Sequence, residues 1–127
     1  DLTHQVIADA AHVDLVRAGA TPTAALVTAL FDHYDRVSRG SAVLALGALH
    51  DPCAVLSVTH PELFGFVRCH VDVELDGRLT RGMTVVDRRP GVRLADVNAA
   101  FGTTVDAARV LRLVVDAAID PLGAGAP

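Results

Sequence analysis

The sequence has 127 residues, 51% of them apolar, which fits one domain or part of one with a buried core and excludes wholesale disorder. The net charge is −4, which argues against the basic surface of a nucleic-acid binder, and all 11 cationic side chains are Arg, a usage that points to coding bias and not to chemistry. Aromatic residues make up 4%, with no Trp, so Ala, Val and Leu must fill the core.

No apolar run approaches the ~20 residues that span a bilayer, and the N-terminus lacks the basic-then-apolar pattern of a secretory signal. Two cysteines, Cys53 and Cys69, make neither a disulfide framework nor a metal knuckle, so a reducing, cytoplasmic setting is expected. Residue 1 is Asp and the only Met is Met83, from which we expect that upstream sequence was removed or not included.

In chain order, residues 4–18 place Val6, Ile7, Ala10, Ala11, Val13, Leu15 and Val16 at broken helical spacing, and Gly19 stops the run. Thr21-Pro22 reads as an N-cap followed by Pro at the first helical position. The helix it opens runs to about Val37, with Ala25, Leu26, Ala29, Leu30, His33 and Tyr34 at three-four spacing. Residues 38–49 read as a loop containing a short apolar segment. Asp51 is placed to cap a short helix from Pro52 to about Thr59.

Residues 67–75 alternate, with Val67, Cys69, Val71, Val73 and Leu75 on one face, and residues 78–87 alternate less cleanly. Asp76-Gly77 between them predicts a two-residue hairpin turn. Val92 to Val97 suits a further short strand, and Thr104 opens a helix that runs to about Ile119. No internal repeat or linker divides the chain. Residues 1–120 form one domain by this reading, and 121–127 (PLGAGAP) a flexible tail.

The sequence holds no glycine-rich phosphate loop, HExxH, CxxC pair or Gly-x-Ser-x-Gly elbow. His4 and His12 are eight apart, too far for a two-His metal grip. That pair reads as solvated, whereas His33, His60 and His70 have no acidic or thiol partner at metal spacing, so structural roles are expected for them. Cys69 lies on the apolar face of the hairpin. Cys53 sits in the first turn of a helix, where packing is favoured over a nucleophilic role. His50-Asp51 has two readings: a loop His beside a helix-capping Asp, or an imidazole proton donor and a hard-cation carboxylate at the mouth of a cleft.

The run LHDPCAVLSVTHPELF, followed by VDVELDGRLTRGMTVVDRR, resembles the C-terminal part of the inosine–uridine-preferring nucleoside hydrolases. DLTHQV, TPTAALVTALFDHY and the closing VD-rich helix match the same family in the same order, so the likeness covers about residues 1–117. The resemblance implies an α/β chain, a fragment of an open, mostly parallel sheet fold, represented here by helices and a β-hairpin. It further implies hydrolysis of the N-glycosidic bond of ribonucleosides to ribose and free base, with a bound Ca²⁺.

Under that resemblance Asp51 matches a calcium ligand that also faces the ribose hydroxyls, and His50 matches the acid that protonates the departing base. Tyr34 falls on the helix that faces the base, with a core role equally open, and residues 38–49 correspond to a loop near the substrate. The family's aspartate-rich block of the type DTDPGxDD is absent, as is its asparagine- and glutamate-bearing ribose segment. The expectation is therefore a C-terminal portion, inactive alone, whose partners are a ribonucleoside and either the missing N-terminal half or further copies. An inactive assembly or binding module derived from the family is the alternative.

Overall fold

A computed structural model describes residues 2–38, 47–89 and 94–121. It divides into a helical unit, Asp1–Phe64 with Val105–Pro127, and a strand unit, Gly65–Thr104. The expected loop at 38–49 and tail at 121–127 fall mostly outside the described residues.

The helical unit begins with a 3₁₀ turn, Leu2–Gln5, followed by α1 (Ala10–Arg17), α2 (Pro22–Ser38), α3 (His50–Thr59), a second 3₁₀ turn (Pro61–Leu63) and, after the strand unit, α4 (Ala107–Ile119). The starts of α1, α2 and α4 have local causes. The Asp9 carboxylate accepts from the His12 amide at 3.1 Å and caps α1, satisfying an amide that no turn of helix precedes. The Thr21 hydroxyl accepts from the Ala24 amide at 3.1 Å, so the Thr-Pro start of α2 folds as its sequence predicts. That hydroxyl also reaches the Ala118 carbonyl at 3.3 Å, tying the start of α2 to the end of α4. Gly19 separates α1 from α2 because a Cβ there would stand 2.9 Å from the Ala24 Cβ.

Two buried clusters hold this unit. Val6, Ala8, Cys53, Leu63, Phe64, Val110 and Leu111 form one, and Val16, Ala24, Val115 and Ala118 form the other. Helix α4 contributes to both. Its apolar residues recur at three-four spacing, so Val110 and Leu111 reach the first cluster while Val115 and Ala118 reach the second, one to two turns on. The Asp106 side chain caps it through the Arg109 amide at 3.1 Å. The Asp106 amide meets the Leu63 carbonyl at 2.8 Å, so the chain leaves the helical unit and returns to it at one place.

The strand unit contains β1 (Phe64–Val73), β2 (Thr84–Asp87), a 3₁₀ turn (Leu94–Asp96) and β3 (Ala99–Val105), in the sheet order β2-β1-β3. Strands β1 and β2 are antiparallel, with His70 opposite Asp87 and Val73 opposite Thr84. Thr103 Oγ1 donates to the Gly65 carbonyl at 3.1 Å and the Asn98 amide reaches the Cys69 carbonyl at 3.3 Å, so β3 also runs antiparallel to β1. Asn98 extends the ladder by bonding both the amide and the carbonyl of Val71 at 2.8 Å.

Four expectations need correction. The hairpin does not turn at Asp76-Gly77: its ladder ends at Val73 and Thr84, and residues 74–83 make the connection. Glu74 explains this, because its carboxylate accepts from the Asp76 and Gly77 amides at 2.9 and 3.0 Å and engages both in the connection. The positive φ expected at the turn is found at Gly82 instead, at 86°. Residues 94–96 form a 3₁₀ turn, and the third strand starts at Ala99, so α4 starts at Ala107 and not at Thr104. The apolar face of the hairpin is only partly covered: Cys69 is buried, whereas Val67, Val73 and Leu75 are exposed. Asp51, finally, does not precede a helix; α3 already begins at His50, and its N-cap Leu49 makes no side-chain capping bond.

Candidate functional site

The first turn of α3 is brought to the Leu2–Gln5 turn by a short antiparallel bridge between Ile7 and Ala48. The Ala8 amide bonds the Gly47 carbonyl at 2.8 Å, and the Leu49 amide bonds the Val6 carbonyl at 2.9 Å. Gly47 takes φ 85°, and a Cβ there would strike the Ala8 carbonyl oxygen, so the close pairing requires glycine. Val6 and Ala8 are buried, fixing the bridge to the core from below.

His50 leaves this bridge as the first residue of α3 and is exposed. Its Nδ1 lies 2.7 Å from Thr3 Oγ1. The His4 ring packs edge-on against it, with centroids 5.1 Å apart and planes at 71°. Among the described residues, Nε2 of His50 has no hydrogen-bond partner. Asp51 follows in the same turn, exposed, where the positive end of the helix dipole favours a carboxylate. Pro52 is tolerated there because first-turn amides have no intrahelical acceptor. Beneath them Cys53 is 2% exposed, and burial pushes its thiol up from the ordinary value, which suits packing and not attack.

This arrangement places an imidazole whose Nε2 has no partner among the described residues beside an exposed carboxylate, a pair able to move a proton and to accept a hydrogen bond or a hard cation. Tyr34 sits on a different element from this pair. It lies near the end of α2, 60% exposed, on a helix that packs against α1 and α4, whereas α3 packs against α4 and the two 3₁₀ turns. Thr3 and His4 are the residues that sequence reasoning missed as neighbours of His50. In the sequence His4 reads as one of a solvated pair eight residues apart, and only the Ile7–Ala48 bridge brings it to a position 46 residues later.

Three of the remaining histidines have local structural partners. His12 Nδ1 stands 2.6 Å from Asp9 Oδ1, His60 Nδ1 stands 3.0 Å from Thr59 Oγ1, and His70 Nδ1 donates to the Asp96 carbonyl at 2.7 Å. In the strand unit Asp87 is occupied by the Arg89 guanidinium at 2.6 and 2.9 Å, which holds its carboxyl down at about 2. Calcium takes ~6–8 oxygen ligands. Among the described residues no three His, Cys, Asp or Glu side chains come together to hold a metal, so Asp51 by itself does not fit such a site. Among them, too, no helix is long and apolar enough to cross a membrane.

Residues 1–112 match the family model of the inosine-uridine preferring nucleoside hydrolases. The chain is 35% identical over 117 residues to the inosine-uridine preferring nucleoside hydrolase of Crithidia fasciculata, covering 92% of this chain and 37% of that protein. It is 38% identical over 88 residues to the pyrimidine-specific ribonucleoside hydrolase RihA of Salmonella schwarzengrund, covering 68% of this chain and 28% of the other. Its fold matches the solved structure of a purine-preferring ribonucleoside hydrolase from Gardnerella vaginalis with a TM-score of 0.75 and 26% identity, over 98% of this chain and 39% of that one. The chain thus spans about a third of the length of the curated relatives it matches.

Proposed function

The chain belongs to the inosine-uridine preferring nucleoside hydrolase family, and from that premise we propose that the whole protein hydrolyses the N-glycosidic bond of ribonucleosides to ribose and free base. The observation that carries this reading is the exposed His50–Asp51 pair at the start of α3, inside the matched residues. His50 is the leaving-group acid. As the C–N bond breaks, negative charge collects on the departing base, and a proton from the imidazole neutralises it. The sugar left behind develops oxocarbenium character, which anionic surroundings stabilise, and Asp51 provides one such carboxylate and a hydrogen-bond acceptor for the ribose hydroxyls.

Asp51 would supply one oxygen to a Ca²⁺ ion whose other donors would have to come from elsewhere in the whole protein, and the ion would polarise what it binds. Tyr34 is the base-facing candidate, its exposure leaving it accessible. On the same face of α2, Leu26, Leu30 and Val37 are exposed at helical spacing, a surface suited to burial under the remaining polypeptide of the whole protein. The relatives are named for inosine and uridine, for pyrimidines and for purines, so base preference is assigned to residues that vary among them.

The test is ribose release from inosine and from uridine by the whole protein with Ca²⁺ present. The expected result is release that Asp51→Asn abolishes. No release from any purine or pyrimidine ribonucleoside would overturn the reading and favour a binding or assembly role.

A further inference from the structure

We infer that Thr3 and His4 are positioning residues for His50, fixing its ring so that Nε2 is the nitrogen that delivers the proton. This inference rests on the proposed role of His50 as acid. An imidazole offers two nitrogens, and which one faces the reaction is set by the hydrogen bond the other makes. Here Nδ1 is engaged by the Thr3 hydroxyl at 2.7 Å, while Nε2 is without a partner among the described residues.

A hydroxyl suits this task because its oxygen accepts a hydrogen bond from Nδ1–H. When the ring is protonated, Nδ1–H donates to Thr3 Oγ1. The Nε2–H bond then breaks, its proton moves to a nitrogen of the departing base, and the electron pair stays on Nε2. The neutral ring keeps its Nδ1–H and its bond to Thr3, so the imidazole does not rotate between one turnover and the next. A second contact restrains the ring against tilting: His4 presents an edge-on ring at 5.1 Å, the arrangement aromatic pairs prefer over face-to-face stacking. Both neighbours come from one 3₁₀ turn that the Ile7–Ala48 bridge and buried Val6 hold in place.

Thr3→Val, which keeps the shape and removes the hydroxyl, is compared with Thr3→Ser in the whole protein, with His50→Ala as reference. The expected result is a fall in kcat of roughly 10- to 100-fold for Thr3→Val with KM nearly unchanged, since a misplaced acid weakens the transition state and not substrate binding. Thr3→Ser restores most of it, and His4→Phe, which retains an aromatic edge, loses less than His4→Ala. The readout that a merely structural role would not move is the ¹⁵N spectrum of the His50 ring. It reports one tautomer, with hydrogen on Nδ1, in the unmodified protein and a mixture in Thr3→Val.

Wild-type kcat in Thr3→Val beside a large loss in His50→Ala would overturn the positioning role and leave the acid in place. No loss in His50→Ala would overturn the acid role and this inference with it. Should Thr3→Val not fold, the spectrum of the unmodified protein decides alone: a ring averaging between two tautomers would overturn the inference.

Discussion

The Leu49 amide bonds the Val6 carbonyl at 2.9 Å, and through that bond two segments more than forty residues apart bring His50 to Thr3. The candidate acid is therefore held by backbone pairing rooted in the core, beside a hydroxyl and a second imidazole from a distant turn.

Gly47 and Gly82 separate strain from collision. Both take positive φ, at 85° and 86°, yet a Cβ at Gly47 meets the Ala8 carbonyl whereas nothing stands within 4 Å of one at Gly82. Gly82→Ala should cost about 1 kcal/mol, the price of the backbone conformation alone. Gly47→Ala should cost about 3 kcal/mol and also weaken the Thr3–His50 contact, because the bridge itself must open. Urea denaturation of both variants checks the ranking; equal losses would contradict it.

Helix α4 reaches both buried clusters, so its cap matters to both. Asp106→Ala should lower stability by about 1 kcal/mol with no change in the denaturant slope. Asp106→Asn, whose side chain still accepts from the Arg109 amide, should recover most of it.

The Asp87–Arg89 pair predicts an acid-side effect. The carboxyl of Asp87 is held down at about 2 by the Arg89 guanidinium and the Arg89 amide, below the ordinary carboxylate value. A group lowered on folding stabilises the folded state above its unfolded pKa. That contribution is lost as pH falls from about 4 through about 2. Arg89 is exposed and Asp87 half-buried, so solvent screens the pair, and the effect is small and weakens with salt. Asp87→Asn should flatten this part of the stability–pH curve and leave the difference between pH 6 and pH 8 unchanged, as thermal melts across that range would register.

In the whole protein, His50→Ala should slow hydrolysis of inosine by roughly 10²- to 10⁴-fold, the usual worth of a general acid. A riboside whose leaving group is a nitrophenolate needs no proton and should lose far less. Equal losses for both substrates, measured as kcat, would remove His50 from the acid role.

Much of this architecture is legible in the residues. Thr21-Pro22 announces α2, and the alternation after Phe64 announces a strand, because capping and side-chain period act locally. The turn at Asp76-Gly77 misleads for an equally local reason: Glu74 competes for the same amides and moves the reversal to Gly82. What sequence reading does not reach is contact over distance. His50-Asp51 stands out by its letters and by family resemblance, but Thr3 and His4 become its neighbours only through a two-residue bridge that no periodicity marks.

The meeting of the Asp106 amide with the Leu63 carbonyl decides how this polypeptide can be altered. Residues 65–104 form a compact unit of their own, and the residues that flank it, Leu63 and Asp106, are pinned side by side within the helical unit. Replacing that compact unit by a short glycine-rich tether should spare the helical core, and lengthening it should cost little, since loop closure grows only logarithmically with length. The strands are thus free to diverge, or to be exchanged by an engineer, while the histidine and its two attendants stay where they are.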